Sequence, residues 1–291
     1  DGVDLKIKRG ATVGLVGESG CGKSVTAASI LQIITRPGRI VDGKMLLNRQ
    51  VSGGTGAKAV VETIDLAALP PRSRAMRAIR GKDISMIFQE PMTSLSLMHT
   101  IGFQIVEAIQ LHTDANTQEA REQAIQILRR VGIPKPEERV DAYPFQLSGG
   151  MRQRAMIAMA LVCSPQLLIA DEPTTALDVT MQAQIMELIL ELQRDMGMSV
   201  LLITHDLGVI AETCEDVVVM YLGEVVEHAG VKELFKDPLH PYTRALLRSI
   251  PRLGQGRSWE LEPIEGMVRV RVELPARYRQ HDGGRMGPWR E

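Results

Sequence analysis

The chain has 291 residues, of which 44% are hydrophobic and 24% charged, a composition typical of a soluble globular protein. Its 34 basic and 35 acidic residues nearly cancel, and aromatic residues make up only 3%, so neither a polyanion-binding surface nor a stacking platform for nucleic acid is indicated. Three dispersed cysteines argue against a disulfide framework or a zinc site, and every apolar run is shorter than the roughly 20 residues of a membrane span.

The first predicted strand, "ATVGLV", leads into "GESGCGKS" at residues 17–24 and then into an apolar helix. This loop matches G-x-x-x-x-G-K-[ST], in which glycines let backbone N–H groups point at phosphate oxygens. Lys23 would reach the β- and γ-phosphates, and the Ser24 hydroxyl would bind Mg²⁺. A glycine-rich turn with a solvated lysine is the alternative interpretation. We therefore predict that ATP is bound by Gly17, Glu18, Ser19, Gly20, Cys21, Gly22, Lys23, Ser24 and Val25.

After the first helix the sequence passes through a polar segment, a short apolar segment and a helical region. Residues 48–77 are polar, aperiodic and punctuated by glycine and proline, which favours a surface arm. After a return to the core at "GKDISMIFQEP", apolar residues at i, i+3/i+4 spacing predict helices within "TIGFQIVEAIQLH" and "TQEAREQAIQILRRVGI". Helical structure is thus expected from Pro91 to about Arg154.

Two later segments end in polar residues that suit phosphate chemistry. "LLIADEPTTALD" at 167–178 predicts a buried strand that delivers Asp171 and Glu172 at its carboxyl end, where ligands sit in open α/β sheets. Asp171 can hold Mg²⁺ and Glu172 can polarise an attacking water, although the two acids could instead cap the next helix. "SVLLITHD" at 199–206 predicts a second strand, which places His205 near a γ-phosphate, although a lone histidine is usually structural.

A phosphate-binding loop alone leaves kinases, GTPases, helicases and transport ATPases open. "QLSGGMRQRAMIAMALV" at 146–162 adds a second helix start suited to anions, opened by Ser148, Gly149 and Gly150. "LSGGMRQR" upstream of "LLIADEP" is the arrangement of ATP-binding cassette proteins, which this sequence resembles over residues 14–206. The resemblance implies an α/β P-loop NTPase (RecA-like) core with a mostly parallel sheet and an inserted α-helical subdomain.

The resemblance also implies the domain boundaries of the chain and the roles of the residues at the site. Residues 1–89 and 155–230 would form the ATPase core, 90–154 the helical subdomain, and 231–291 a C-terminal extension. Two cassettes would pair head to tail, so that each ATP lies between one phosphate loop and the partner's signature. The implied roles are catalysis by Glu172, His205, Lys23 and Gln89, Mg²⁺ binding by Ser24, Gln89 and Asp171, a D-loop at Asp178, and a signature at Ser148, Gly149, Gly150 and Met151.

Within the family, "FQEPMTSL" at 88–95 and "DPLHPYTRALLRSIPRL" at 237–253 resemble the peptide-importer branch. That branch implies two transmembrane permease subunits, a second ATPase subunit, with a heterodimer favoured, and indirectly a periplasmic or lipid-anchored binding protein. The chain would lie at the cytoplasmic face of a bacterial inner membrane, with residues 89–107 receiving the permease. Peptide or glutathione is the expected cargo; nickel or another small solute, a non-transport ATPase, and a non-hydrolysing nucleotide-binding subunit are the alternatives.

Two departures from the family pattern stand out. Residues 1–16 contain no aromatic residue to stack on adenine, so we expect that an upstream strand carrying this platform is missing. The last 25 or so residues contain no cysteine and do not resemble the relatives' tails, so we expect an atypical end without an iron–sulfur cluster.

Overall fold

The computed structural model describes residues 2–51, 60–89, 94–175 and 177–249. The expectations about the atypical C-terminal end therefore lie outside the described residues. The same holds for residues 52–59 of the expected surface arm and for residues 90–93, which follow Gln89.

The main sheet has six strands in the order β4-β5-β6-β1-β7-β8. Every neighbouring pair is parallel except β7 and β8, which pair antiparallel. The prediction of an α/β fold with a mostly parallel sheet is confirmed. The strands of the described residues are β1 (Thr12–Val16), β2 (Leu46–Val51), β3 (Val60–Asp65), β4 (Ile84–Ile87), β5 (Leu167–Asp171), β6 (Ser199–Ile203), β7 (Asp216–Tyr221) and β8 (Glu224–Gly230).

Helices connect the strands and cover both faces of the sheet. They are α1 (Lys23–Ile30), α2 (Arg74–Ile79), α3 (Ile101–His112), α4 (Thr117–Arg130), α5 (Pro136–Arg139), α6 (Gly149–Leu161), α7 (Val179–Met196), α8 (Leu207–Thr213), α9 (Val231–Lys236) and α10 (Pro241–Arg248).

Strand β6 shows why the core divides in two. Its side chains alternate, because successive residues of a strand point to opposite faces. Val200 and Leu202 belong to a core with α3, α4, α6 and α7, whereas Leu201 and Ile203 belong to a core with α1 and α2. With both faces covered, the strand reads as a continuous apolar run, as expected for a parallel sheet.

The helices predicted within "TIGFQIVEAIQLH" and "TQEAREQAIQILRRVGI" are confirmed by α3 and α4. Thr100 caps α3 by accepting the Phe103 N–H, at 3.2 Å. Asn116 and Glu119 form a reciprocal capping box at the start of α4. These local signals fix where each helix begins, and the buried apolar residues of α3 and α4 then pack against each other and against α6.

The described part of residues 48–77 is largely exposed, as expected of a surface arm, but the interpretation of it as aperiodic is wrong. Strands β2 and β3 form an antiparallel hairpin with register from Leu46–Asp65 to Val51–Val60. Helix α2 follows, and its Met76 side chain is fully buried. The alternation of apolar and polar residues that predicts a strand is weak here, because each strand contributes few apolar residues to the core. The glycine-rich stretch between the strands then dominates the sequence pattern.

Candidate active site

The phosphate loop lies between β1 and α1, at the carboxyl edge of the sheet. Gly17 has φ of 150°, and a Cβ there would lie 2.2 Å from the Met220 carbonyl oxygen at the end of β7. Gly22 has φ of 106° and immediately precedes α1. Both positions therefore need glycine, Gly17 because β7 approaches closely and Gly22 because the backbone is left-handed.

Lys23 is held inside the loop that precedes it. Its side chain is 6% exposed, and its ammonium donates to the Gly17 carbonyl at 2.8 Å and to the Glu18 carbonyl at 2.9 Å. Cys21 is also buried and lies beside the loop glycine, as expected for a small residue that fills space. Ser19, Gly20, Ser24 and Val25 are exposed at the outer rim.

Ser24 and Asp171 meet beside the loop. The Ser24 hydroxyl donates to Asp171 Oδ1 at 3.1 Å, and Asp171 is only 5% exposed. Burial raises the pKa of Asp171 and Glu172 raises it further, while the Ser24 hydrogen bond and Lys23 oppose the shift. A hydroxyl and a carboxylate are hard oxygen donors of the kind that Mg²⁺ prefers, so this pair fits the metal.

Three side chains converge on the Glu172 carboxylate. Gln89 Nε2 donates to Oε2 at 3.0 Å, and the Thr175 hydroxyl donates to the same oxygen at 2.9 Å. His205 Nδ1 lies 3.4 Å from Oε1. The structure thus brings together the predicted residues Gln89, Glu172 and His205, from loops that follow β4, β5 and β6.

The backbone at Glu172 is strained. Its φ of 47° places a non-glycine residue in the left-handed region, at a cost of about 1–2 kcal/mol. Its N–H donates to the Ile203 carbonyl at 2.9 Å, which ties the turn to the adjacent strand. Such strain concentrates at functional sites, where the surrounding structure enforces it.

The signature residues open helix α6. Ser148 caps α6 by accepting the Met151 N–H at 3.3 Å. A Cβ at Gly150 would lie 2.2 Å from Met181 Cε in α7, whose first turn is capped by Asp178. Within the described residues, no hydrogen bond or ion pair joins residues 148–151 to the phosphate loop.

Sequence reasoning missed two contacts of the site. Thr175 was not singled out, although its position three residues after Glu172 in a turn is a local signal. The Tyr242 hydroxyl accepts the Glu18 N–H at 2.9 Å, a contact between residues separated by 224 positions, which no local pattern indicates.

The arrangement can bind a phosphate chain, hold a divalent cation and activate a water. It combines a loop of backbone N–H groups with Lys23, a hydroxyl–carboxylate pair, and a carboxylate positioned by an amide, a hydroxyl and a histidine. These are the parts that phosphoryl transfer to water requires.

Comparison with known proteins agrees with this chemistry. Residues 1–175 match the family described as ABC transporter, and residues 226–281 match the oligopeptide/dipeptide transporter C-terminal region. A probable peptide ABC transporter ATP-binding protein of Sinorhizobium fredii is 54% identical over 92% of this chain and 75% of its own length. A dipeptide transport ATP-binding protein of Escherichia coli is 47% identical over 94% of this chain and 79% of its own.

Solved structures give the same answer for the fold. A dimeric post-hydrolysis ATP-binding cassette bound to ADP and phosphate superposes with a TM-score of 0.64 and 26% identity, covering 79% of this chain and 89% of that one. The chain belongs to the ATP-binding cassette transporter family, and within it to the branch that carries the oligopeptide/dipeptide transporter C-terminal region. It is a nucleotide-binding ATPase subunit.

Proposed function

We propose that this chain hydrolyses ATP to energise a bacterial importer of dipeptides or oligopeptides, glutathione included. The observation that carries the hydrolytic role is the convergence of Gln89, Thr175 and His205 on the Glu172 carboxylate. The peptide-transport names of its relatives support the cargo. The subunit would thus act as a translocase, coupling turnover at this site to movement in a membrane partner.

Glu172 is the general base in this proposal. Its Oε2 already accepts two hydrogen bonds, so Oε1 is the oxygen available to take a proton from the attacking water. His205 lies beside Oε1 and is 70% exposed, so it can turn toward the terminal phosphate and stabilise the charge that develops there.

Lys23 supplies the second positive charge. Its ammonium has three N–H donors, and two of them now go to loop carbonyls. When the β- and γ-phosphates are bound in the loop, the same ammonium can donate to their oxygens. Because the side chain is buried, this interaction is screened only weakly.

Ser24, Asp171 and Gln89 would hold Mg²⁺. The Gln89 amide nitrogen donates to Glu172, which leaves its carbonyl oxygen as the atom for the cation. The ion would neutralise charge on the β- and γ-phosphates.

The second half of the nucleotide site would come from a partner subunit. Helix α6 is opened by Ser148, Gly149, Gly150 and Met151. Within the described residues, no hydrogen bond or ion pair joins them to the phosphate loop of their own chain, which supports a role in binding the partner's ATP. Asp178 caps the neighbouring helix α7 at the same surface. We favour a heterodimer of two similar cassettes.

Residues 89–107 would form the surface that receives a coupling helix from the permease, which would consist of two transmembrane subunits. Met98 is 82% exposed and Phe103 is 51% exposed, with the Phe103 ring stacked on His99 at 4.5 Å. Such exposed apolar side chains mark an interaction surface. No described helix is long and apolar enough to cross a bilayer.

Its permease partners would hold the chain at the cytoplasmic face of the inner membrane. A periplasmic or lipid-anchored binding protein would deliver the cargo.

The proposal is tested by uptake in cells that lack this subunit. Wild-type protein should restore accumulation of a labelled dipeptide, and Lys23→Ala should not, although it is present at the same level. Restoration of nickel uptake alone would support the small-solute alternative. ATP hydrolysis without either uptake, stimulated by DNA, would support a non-transport ATPase.

A further inference from the structure

The C-terminal part of the described chain contacts the phosphate loop directly. The Glu18 N–H donates to the Tyr242 hydroxyl at 2.9 Å, and Tyr242 is 6% exposed at the start of α10. Glu18 is the second residue of the loop, and its carbonyl accepts from Lys23 at 2.9 Å. The Glu18 backbone is therefore fixed on both sides, by α10 at the N–H and by Lys23 at the carbonyl.

The start of α10 is itself clamped to the sheet. Glu227 of β8 accepts the Leu239 N–H at 2.7 Å and the His240 N–H at 3.0 Å. Burial raises the pKa of Glu227, but the nearby Thr243 side chain and the two backbone N–H groups outweigh burial and hold that pKa below its usual value. The carboxylate is thus stabilised in its charged form, as an anchor for this turn requires.

The Tyr242 ring packs against a second aromatic ring. It lies 4.4 Å from the Tyr221 ring at the end of β7, with the planes tilted by 37°. Burial raises the pKa of Tyr242 to about 12, so the hydroxyl remains protonated at neutral pH. Both the ring and the hydroxyl are held where the loop needs its hydrogen-bond acceptor.

We propose that Tyr242 is a positioning residue that holds the first turn of the phosphate loop and makes nucleotide affinity depend on the docking of α10 on β8. This inference rests on the proposed function, in which the loop binds ATP. Glu227 would fix the start of α10 on β8, and Tyr242 of that helix would then hold the Glu18 N–H through its hydroxyl. Tyr242 does not touch the reacting atoms.

The size of the effect follows from one hydrogen bond. Losing an acceptor for a backbone N–H changes an equilibrium by roughly 3- to 10-fold. Phosphate binding requires the backbone N–H groups of the loop to point at the phosphate oxygens at the same time. Without the hydrogen bond to Tyr242, the backbone at Glu18 can adopt other conformations, which weakens phosphate binding and does not affect the chemical step. We expect the affinity for ATP to fall within that range.

The test compares Tyr242→Phe with Tyr221→Phe. The first removes the hydroxyl that accepts from Glu18, and the second removes the hydroxyl of the neighbouring ring and leaves that hydrogen bond in place. Binding of a fluorescent ATP analogue to the purified chain should weaken roughly 3- to 10-fold in Tyr242→Phe and stay unchanged in Tyr221→Phe. Glu227→Ala should weaken it as well. In the assembled transporter, KM for ATP should rise in Tyr242→Phe while kcat does not change.

A second readout needs no nucleotide. Cys21 lies in the same loop and is buried, so its rate of alkylation, resolved by mass spectrometry, reports loosening of the loop. The rate should rise in Tyr242→Phe relative to wild type, with Cys163 and Cys214 as internal references that stay constant.

The outcomes separate this inference from the function on which it rests. Wild-type chain that binds no analogue would count against the proposed function, and the Cys21 rates would still decide the role of Tyr242. Equal Cys21 rates in wild type and Tyr242→Phe would overturn the inference. So would a uniform rise at all three cysteines, because that indicates general destabilisation.

Discussion

Replacement of Glu172 by glutamine tests the hydrolytic centre most directly. In the structure, Oε2 accepts from both Gln89 and Thr175, while Oε1 faces His205, at 3.4 Å. A glutamine can place its carbonyl oxygen where Oε2 lies and its amide nitrogen toward His205. Both hydrogen bonds then survive, so the free energy of unfolding should change by less than about 1 kcal/mol.

The chemistry should respond much more strongly than the fold. A general base contributes about 10²- to 10⁴-fold to a rate. That range corresponds to about 2.7–5.4 kcal/mol of transition-state free energy. Glu172→Gln should therefore reduce phosphate release by 10²- to 10⁴-fold while leaving nucleotide affinity unchanged.

The assay measures phosphate release by the purified chain and by the assembled transporter, with size-exclusion chromatography under ATP. The variant should accumulate as an ATP-bound dimer, because hydrolysis no longer releases it. Glu191→Gln is the matched control, since Glu191 is an exposed acid on α7. Turnover in Glu172→Gln within about tenfold of wild type would refute the assignment of Glu172 as base.

Three further predictions concern stability. Gly17→Ala, whose Cβ would lie 2.2 Å from the Met220 carbonyl, should lower the free energy of unfolding by about 2 kcal/mol or more in urea titration, and an unchanged midpoint would contradict this. Burial raises the folded-state pKa of Asp171, so the stability contribution of this group is complete below its unfolded pKa and lost as pH rises through its folded pKa. Asp171→Asn should therefore raise the melting temperature at neutral pH while weakening Mg²⁺-ATP binding; an equal or lower melting temperature would argue against burial as the cause. The bidentate hydrogen bonds from Arg121 lower the pKa of Asp141, so Arg121→Ala should cost under about 1 kcal/mol at neutral pH in this exposed pair, and the difference should vanish as pH falls through the lowered pKa.

Much of the site could be predicted from sequence because its parts are local. The phosphate loop is a contiguous run of eight residues between a strand and a helix, and the Ser148 cap sits where serine precedes a helical run. Strands β5 and β6 read as short apolar runs ending in polar residues. Since neighbouring parallel strands share one carboxyl edge, those endings predict that Glu172 and His205 meet.

The hairpin of β2 and β3 could not be predicted, because it depends on contacts between two segments and not on a local pattern. Its pairing is a contact between segments separated by a glycine-rich stretch, and few of its side chains enter the core. No helical or alternating pattern is strong enough there to compete with the turn residues.

The sequence by itself determined which residues are the candidates for the chemistry, because motif spacing and strand endings are properties of short segments. It also determined where α3, α4 and α6 begin, since a cap and the helix it starts are adjacent in the chain. The tertiary structure decided which oxygen of Glu172 accepts from Gln89 and Thr175 and which faces His205, and that Glu18 receives its acceptor from Tyr242. Those facts depend on how distant elements pack, and packing between residues far apart in the chain leaves no local pattern to read.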